Sequence, residues 1–114
     1  MTIIELINKE RIRAGVKPLS VRSDIQSASN LRAREASQLW SHTRPDGTPW
    51  YTADDRIYGE NLAKGFNNPA DLVKAWMNST KHREVMLNQK FKGACVGTYK
   101  AKDGSYTALE LTLE

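Results

Sequence analysis

The stretch Ala94-Cys95-Val96-Gly97-Thr98-Tyr99-Lys100-Ala101-Lys102-Asp103-Gly104-Ser105-Tyr106-Thr107-Ala108-Leu109-Glu110-Leu111-Thr112-Leu113 decides the fold class. It holds two strand-like runs, 94–99 and 106–113, on either side of Lys102-Asp103-Gly104. Asp-Gly between such runs signals a hairpin, because Gly accepts the positive φ that a tight turn of matching twist demands. In the second run Tyr106, Ala108, Glu110 and Thr112 alternate with Thr107, Leu109, Leu111 and Leu113. The second set is the more apolar, which predicts a sheet covered on one face.

Upstream, the period changes from two to that of a helix. Thr2-Ile3-Ile4-Glu5 has the form of a capping box, and Ile3, Ile4, Ile7 and Ile12 follow before Gly15, so a first helix is predicted over 3–14. Ser23-Asp24 can cap a second helix ending near Trp40. Its apolar stripe reads as Ile25, Ala28, Leu31, Ala36 and Leu39, with Arg32, Arg34, Glu35 and Gln38 on the wet side. Asn68 before Pro69 opens a third helix that buries Leu72, Val73, Trp76 and Met77. A short fourth helix over 81–87 follows Ser79. Between helices two and three, Pro45, Asp46-Gly47 and Pro49 break the pattern, and a loop this long in a small domain is often functional. Trp50 and Tyr51 give that loop apolar surface with which to pack down. One more short strand is expected in the middle of the chain. Helices followed by a hairpin make an α+β domain.

Composition limits what such a domain can be. The chain has 114 residues, one cysteine, two histidines and a net charge of +4. No repeat or linker divides it, so residues 1–114 form one domain, of a size that buries about two-thirds of its unfolded surface. A lone Cys95 allows neither an internal disulfide nor a cysteine-cluster zinc site; within an apolar strand it is a small core hydrophobe. Mean hydropathy is −0.59 and no apolar run approaches the roughly 18–20 residues of a membrane span. The basic residues are dispersed, without the clustering of a nucleic-acid surface. Met1-Thr2-Ile3-Ile4-Glu5 lacks the basic and apolar regions of an export signal.

His42 stands at the mouth of the long loop and His82 at the start of the fourth helix, with Glu60 between them in sequence. Their spacing is too loose for a metal motif. Glu60 lies among Ile57, Tyr58 and Leu62, and a carboxylate buried there needs a partner, which a histidine would supply. Ser79, His82 and Glu60 are the chemical types of a nucleophilic triad, and Ser79 and His82 are one helical turn apart. No nucleophile elbow accompanies Ser79, which is therefore expected to be an N-cap whose hydroxyl accepts a backbone N–H. Asn61 is expected to bond to backbone near the site, Arg83 to pair with an acid, and Trp40, Trp50 and Trp76 to pack.

Three blocks, Ser41-His42-Thr43-Arg44-Pro45-Asp46-Gly47, Gly59-Glu60-Asn61-Leu62-Ala63 and Trp76-Met77-Asn78-Ser79-Thr80-Lys81-His82-Arg83, resemble in order the signatures of the CAP superfamily. These are the cysteine-rich secretory, antigen 5 and pathogenesis-related 1 proteins, also called SCP-like. The compact, disulfide-free bacterial branch is the most similar, and the resemblance extends to Leu6 through Leu19 and to Phe91 through Gly97. It implies a three-layer α-β-α sandwich with a small, mostly antiparallel central sheet flanked by about four helices. It also implies a cleft formed by His42, Glu60, Asn61, Ser79 and His82. Ser79 occupies the place where animal and plant members carry a second glutamate.

On that resemblance His42 and His82 are expected to hold Zn2+ weakly and reversibly, with Glu60 orienting an imidazole or activating water. The expected function is a secreted, wall-associated or extracellular module that takes a small ligand or partner, acting as a monomer and not on nucleic acid. The alternatives are a metal-assisted peptidase with Glu60 as base and His42 and His82 as metal ligands, and a purely structural domain of a larger wall protein. An export signal is expected upstream of Met1.

Overall fold

A computed structural model describes residues 1–114. The elements in chain order are α1 (Ile3–Arg13), β1 (Ser20–Val21), α2 (Gln26–Gln38), β2 (Gly59–Lys64), α3 (Pro69–Met77), α4 (Thr80–Met86), β3 (Gly93–Ala101) and β4 (Gly104–Thr112). One 3-10 turn, Ser23–Ile25, leads into α2, and another, Trp50–Ala53, sits in the long loop. The strands form one sheet in the order β1-β3-β4-β2. β3 and β4 are the expected hairpin, β2 pairs antiparallel with β4, and β1 pairs parallel with β3.

Local chemistry sets the helix starts. Thr2 accepts from the Glu5 N–H while the Glu5 carboxylate accepts from the Thr2 N–H, closing the capping box. The Asn68 side chain accepts from the N–H groups of Ala70 and Asp71, with Pro69 at the first helical position, where its missing N–H costs nothing. Arg11 is buried and donates only to carbonyls, those of Lys17, Met86, Asn88 and Phe91. It thereby ties the end of α1 to the carbonyls that follow α4, groups a helix C-terminus leaves unpaired.

The sheet is covered on both faces, not on one. Residues Thr107 through Thr112 of β4 are all buried. Leu109 and Leu111 point with Ala94 and Ala63 into the larger core, against Ile4 and Ile7 of α1, Leu72, Val73 and Trp76 of α3, and Met86 of α4. Tyr106 and Ala108 point the other way with Leu62, against Ala33 and Ala36 of α2. Ile25, Ala28, Ile57 and Cys95 continue that second layer. Helices α1, α3 and α4 thus form one layer and α2 the other, an α-β-α sandwich. The alternation in β4 is therefore a choice between two interiors, with Tyr106 and Ala108 facing α2 and the leucines facing α1, α3 and α4.

α2 also departs from expectation in its polarity. Leu31 and Leu39 are exposed, whereas Arg32 and Glu35 are buried. Arg32 stands one turn from both Ala28 and Ala36, so it lies on the stripe that meets the sheet. The helix rides close because Gly97 has no side chain: a Cβ there would overlap the Ser29 and Asn30 backbone. No helix is long and apolar enough to cross a membrane.

Candidate functional site

β2 is an edge strand, and this decides where chemistry gathers. Successive residues of a strand face opposite ways. Glu60 faces the α2 layer and Asn61 the layer of α3 and α4, so residues from both helical layers meet around this one edge.

On the α2 side, Glu60 is buried, and Arg32 grips it in a two-pronged pair, Nε to Oε2 at 2.8 Å and Nη2 to Oε1 at 3.0 Å. Oε1 also meets His42 Nδ1 at 2.9 Å. Arg32 donates from Nη1 to Glu35 at 2.9 Å and from Nη2 to the Ser41 carbonyl at 3.0 Å. Glu35 in turn accepts from Arg44, at 2.9 Å for the shortest contact. The result is a relay of alternating charge, His42–Glu60–Arg32–Glu35–Arg44, that fastens the loop after α2 to β2. Burial pushes the Glu60 carboxyl up, but its bonds to His42 and Arg32 outweigh this and hold it below the ordinary value.

Glu110 sits beside this relay. It is wholly buried and is the cross-strand partner of Glu60 on one side and of Cys95 on the other. As a carboxylate it finds no donor for either oxygen. As a neutral acid it has one proton to donate, and Glu60 is the acceptor its position offers. Desolvation foremost, then the Glu60 charge and the bond to Glu60, raise its pKa well above 4.5. Charge counting agrees: Arg32 and Arg44 balance Glu35 and Glu60, so an ionised Glu110 would leave a buried excess of negative charge.

On the α4 side, Asn61 donates to the His82 carbonyl at 3.1 Å, the backbone bond expected of it. His82 stacks on Trp76, with ring centroids 6.3 Å apart, and its Nδ1 lies 2.8 Å from Ser79 Oγ. Ser79 is the N-cap of α4 by position, but its hydroxyl caps no backbone N–H; it is spent on His82 instead. Burial first, then the His42 and Lys81 charges, lower the His82 pKa, so its ring is neutral at pH 7. Glu60 bonds to His42 and not to His82, so Ser79, His82 and Glu60 do not form a continuous triad. Arg83 donates to the Met77 carbonyl and pairs with no acid.

The His42 side chain is 54% exposed. It opens with Glu60, Trp50 and Tyr58 onto a depression of about 480 Å3 whose far wall is Lys81 and Glu84 of α4. His82, Ser79 and Asn61 do not line it. No three of the His, Cys, Asp and Glu side chains are grouped to hold a metal ion. What remains for a metal is Nε2 of each imidazole, since Glu60 and Ser79 occupy the two Nδ1 atoms.

The sequence profile of the cysteine-rich secretory protein family, CAP, matches residues 4–112. The chain belongs to this family. Its CAP domain is 33% identical over 103 residues to the uncharacterized protein YkwD of Bacillus subtilis (strain 168), covering 83% of this chain and 40% of that protein. Its fold is similar to that of an extracellular protein containing an SCP domain from Bacillus anthracis, with a TM-score of 0.82, 24% identity, and coverage of 96% of this chain and 39% of that one. It is also similar to a cysteine-rich secretory protein of Staphylococcus aureus, with a TM-score of 0.74, 26% identity and coverage of 98% and 37%. An outer surface protein of Borrelia burgdorferi shares the fold at a TM-score of 0.76 and 20% identity, covering 96% and 88%. The chain thus spans about two-fifths of the two Bacillus relatives.

Reasoning from the sequence missed four members of this CAP site: Arg32, Glu35, Arg44 and Glu110. For Arg32 the signal was there, since a stripe through Ala28 and Ala36 passes through position 32. For Glu110 it was the strand pairing, which places the residue beside Glu60 and which no local pattern encodes.

Proposed function

We propose that this CAP domain is a binding module whose edge-strand site holds a divalent metal weakly through His42 and His82 and presents it to a small ligand or an extracellular partner. The observation that carries the reading is the His42–Glu60 contact. A buried carboxylate fixed by Arg32 accepts from His42 Nδ1, so the neutral tautomer of this exposed ring carries its lone pair on Nε2. His82, neutral and with Nδ1 beside Ser79, offers the same atom. Two imidazoles fall short of the three or four protein ligands of a firm zinc site, so the affinity is low and the remaining positions belong to water or ligand.

The geometry favours binding over hydrolysis. Both Glu60 oxygens are engaged, and its lowered pKa makes it a poor proton acceptor. An extracellular or cell-surface setting is in keeping with the Bacillus anthracis and Borrelia relatives, described as an extracellular and an outer surface protein. Calorimetric titration of zinc into the wild type and a His42→Ala, His82→Ala variant tests the metal reading. Heat that vanishes in the variant supports it; equal heats overturn it.

A further inference from the structure

Beside the histidine site, the long loop builds a second depression, of about 530 Å3, lined by Trp50, Tyr51, Thr52, Asp55, Ile57 and Tyr58. Its walls are aromatic and its floor is the buried Ile57. Tyr51 and Tyr58 are more than half exposed, which is unusual for side chains with so much apolar surface to bury. The Trp50 and Tyr51 rings meet edge to face, with centroids 5.5 Å apart and planes at 87°. They form a corner, not the single flat platform on which a sugar ring stacks.

The walls are held in place without a ligand. The Trp50 N–H donates to the His42 carbonyl, and the Thr52 N–H to that of Pro49. Thr52 Oγ1 accepts from Arg44, which ties the 3-10 turn to the buried relay. Trp50 also packs on the cluster of Ile25, Ala28, Ile57 and Cys95. The Tyr58 N–H donates to the Leu111 carbonyl, which fixes the opposite wall to β4.

The charge at the rim has a definite sign. Asp55 is exposed and makes neither an ion pair nor a hydrogen bond. The neighbouring guanidiniums are committed elsewhere, Arg56 to Asp24 and Asp54 and Arg22 to Asp24. Three carboxylates, Asp24, Asp54 and Asp55, against two arginines leave a local charge of −1 on a chain whose net charge is +4. An aromatic corner attracts a cation through the negative faces of its rings, and a free carboxylate adds to that attraction.

We infer that the Trp50–Tyr51–Tyr58 pocket, with Asp55 at its rim, is a binding site for a small organic ammonium ion of the quaternary type. The pocket shares its Trp50 and Tyr58 walls with the depression at His42, but it does not use the histidines and needs no metal. The ammonium head fits against the corner of Trp50 and Tyr51, Tyr58 closes the third side, and Asp55 lies outside the ring faces.

Two-dimensional NMR of the metal-free chain, titrated with choline, tests this. Its neutral isostere 3,3-dimethyl-1-butanol and N-acetylglucosamine serve as parallel ligands. Choline is expected to bind at millimolar concentration and to shift the resonances of Trp50, Tyr51 and Tyr58, with the isostere weaker by roughly fivefold. Tyr58→Ala and Asp55→Asn, both at exposed positions, are each expected to weaken choline by roughly three- to fivefold while the rest of the spectrum stays in place. Equal binding of choline and its isostere would make this a plain apolar pocket and overturn the proposal. Shifts with N-acetylglucosamine and none with choline would make it a sugar site, and no response to choline would likewise overturn it.

Discussion

Glu110 and Glu60 are neighbouring carboxyls displaced in opposite directions. Arg32 and His42 hold Glu60 ionised, whereas desolvation and the Glu60 charge keep Glu110 protonated. Their links to stability are correspondingly opposed. The folded state holds the Glu60 proton less tightly than the unfolded chain, so its contribution is present above the ordinary carboxyl range and is lost as pH falls through the folded value. The folded state holds the Glu110 proton more tightly, so its contribution is complete below the ordinary value of 4.5 and is lost as pH rises above it. Glu110→Gln retains a donor for Glu60 and has no charge to acquire. Thermal unfolding of this variant is expected to match the wild type near the ordinary carboxyl pKa and to exceed it by a margin that widens toward pH 8. A margin independent of pH would show that Glu110 is ionised in the fold.

At the scale of elements, the contact of α2 with β3 depends on Gly97. Ser29 Oγ donates to the Ile25 and Cys95 carbonyls at 3.2 and 3.3 Å, and the helix backbone lies where a Gly97 side chain would stand. Gly97→Ala must lift α2 from the sheet, and since the obstruction is backbone, no rotamer change relieves it. The expected cost is about 1–3 kcal/mol, in the range of overpacked cores, measured by urea denaturation; a variant as stable as the wild type would show that α2 can shift freely. The elements that were legible in the sequence are those whose ends carry their own chemistry, such as Thr2 with Glu5, Asn68 with Pro69, and Asp103 with Gly104. β1 was not legible, because two residues with no pattern become a strand only by pairing with β3. The wet side assigned to α2 failed because residue type was read ahead of position: Leu31 is apolar but points outward, and Arg32 is charged but points at the sheet. The site was legible to the same extent. Glu60 in an apolar setting demanded a partner and His42 supplies one, and Arg32 shares the stripe of Ala28 and Ala36, but Arg44 and Glu110 are brought there by tertiary packing alone.

Across the whole molecule, Arg32 joins three parts: its own helix α2, the loop after it that carries His42 and the aromatic pocket, and the edge strand β2. A buried ion pair is weak support for stability as such, because desolvating both charges offsets their attraction. Removing one partner is another matter. Arg32→Met leaves Glu60 buried beside Glu110 with His42 alone, leaves Glu35 with Arg44 alone, and frees the Ser41 carbonyl. The expected loss is about 3–5 kcal/mol, and Glu60→Gln alone is destabilising for the mirror-image reason, an Arg32 charge without its main counterion. Together the two changes remove one positive and one negative charge and leave Arg44 paired with Glu35. The double variant is therefore expected to lose less than the sum of the singles, with a coupling of at least about 2 kcal/mol in a denaturant-unfolding cycle. Strict additivity would mean that the pair is not coupled and that the loop is held by its packing instead. Hydrogen exchange separates those outcomes in space. If the relay fastens the loop, Arg32→Met speeds exchange at the Trp50 amide, which donates to the His42 carbonyl, and leaves the α1 and α3 amides on the far face unchanged.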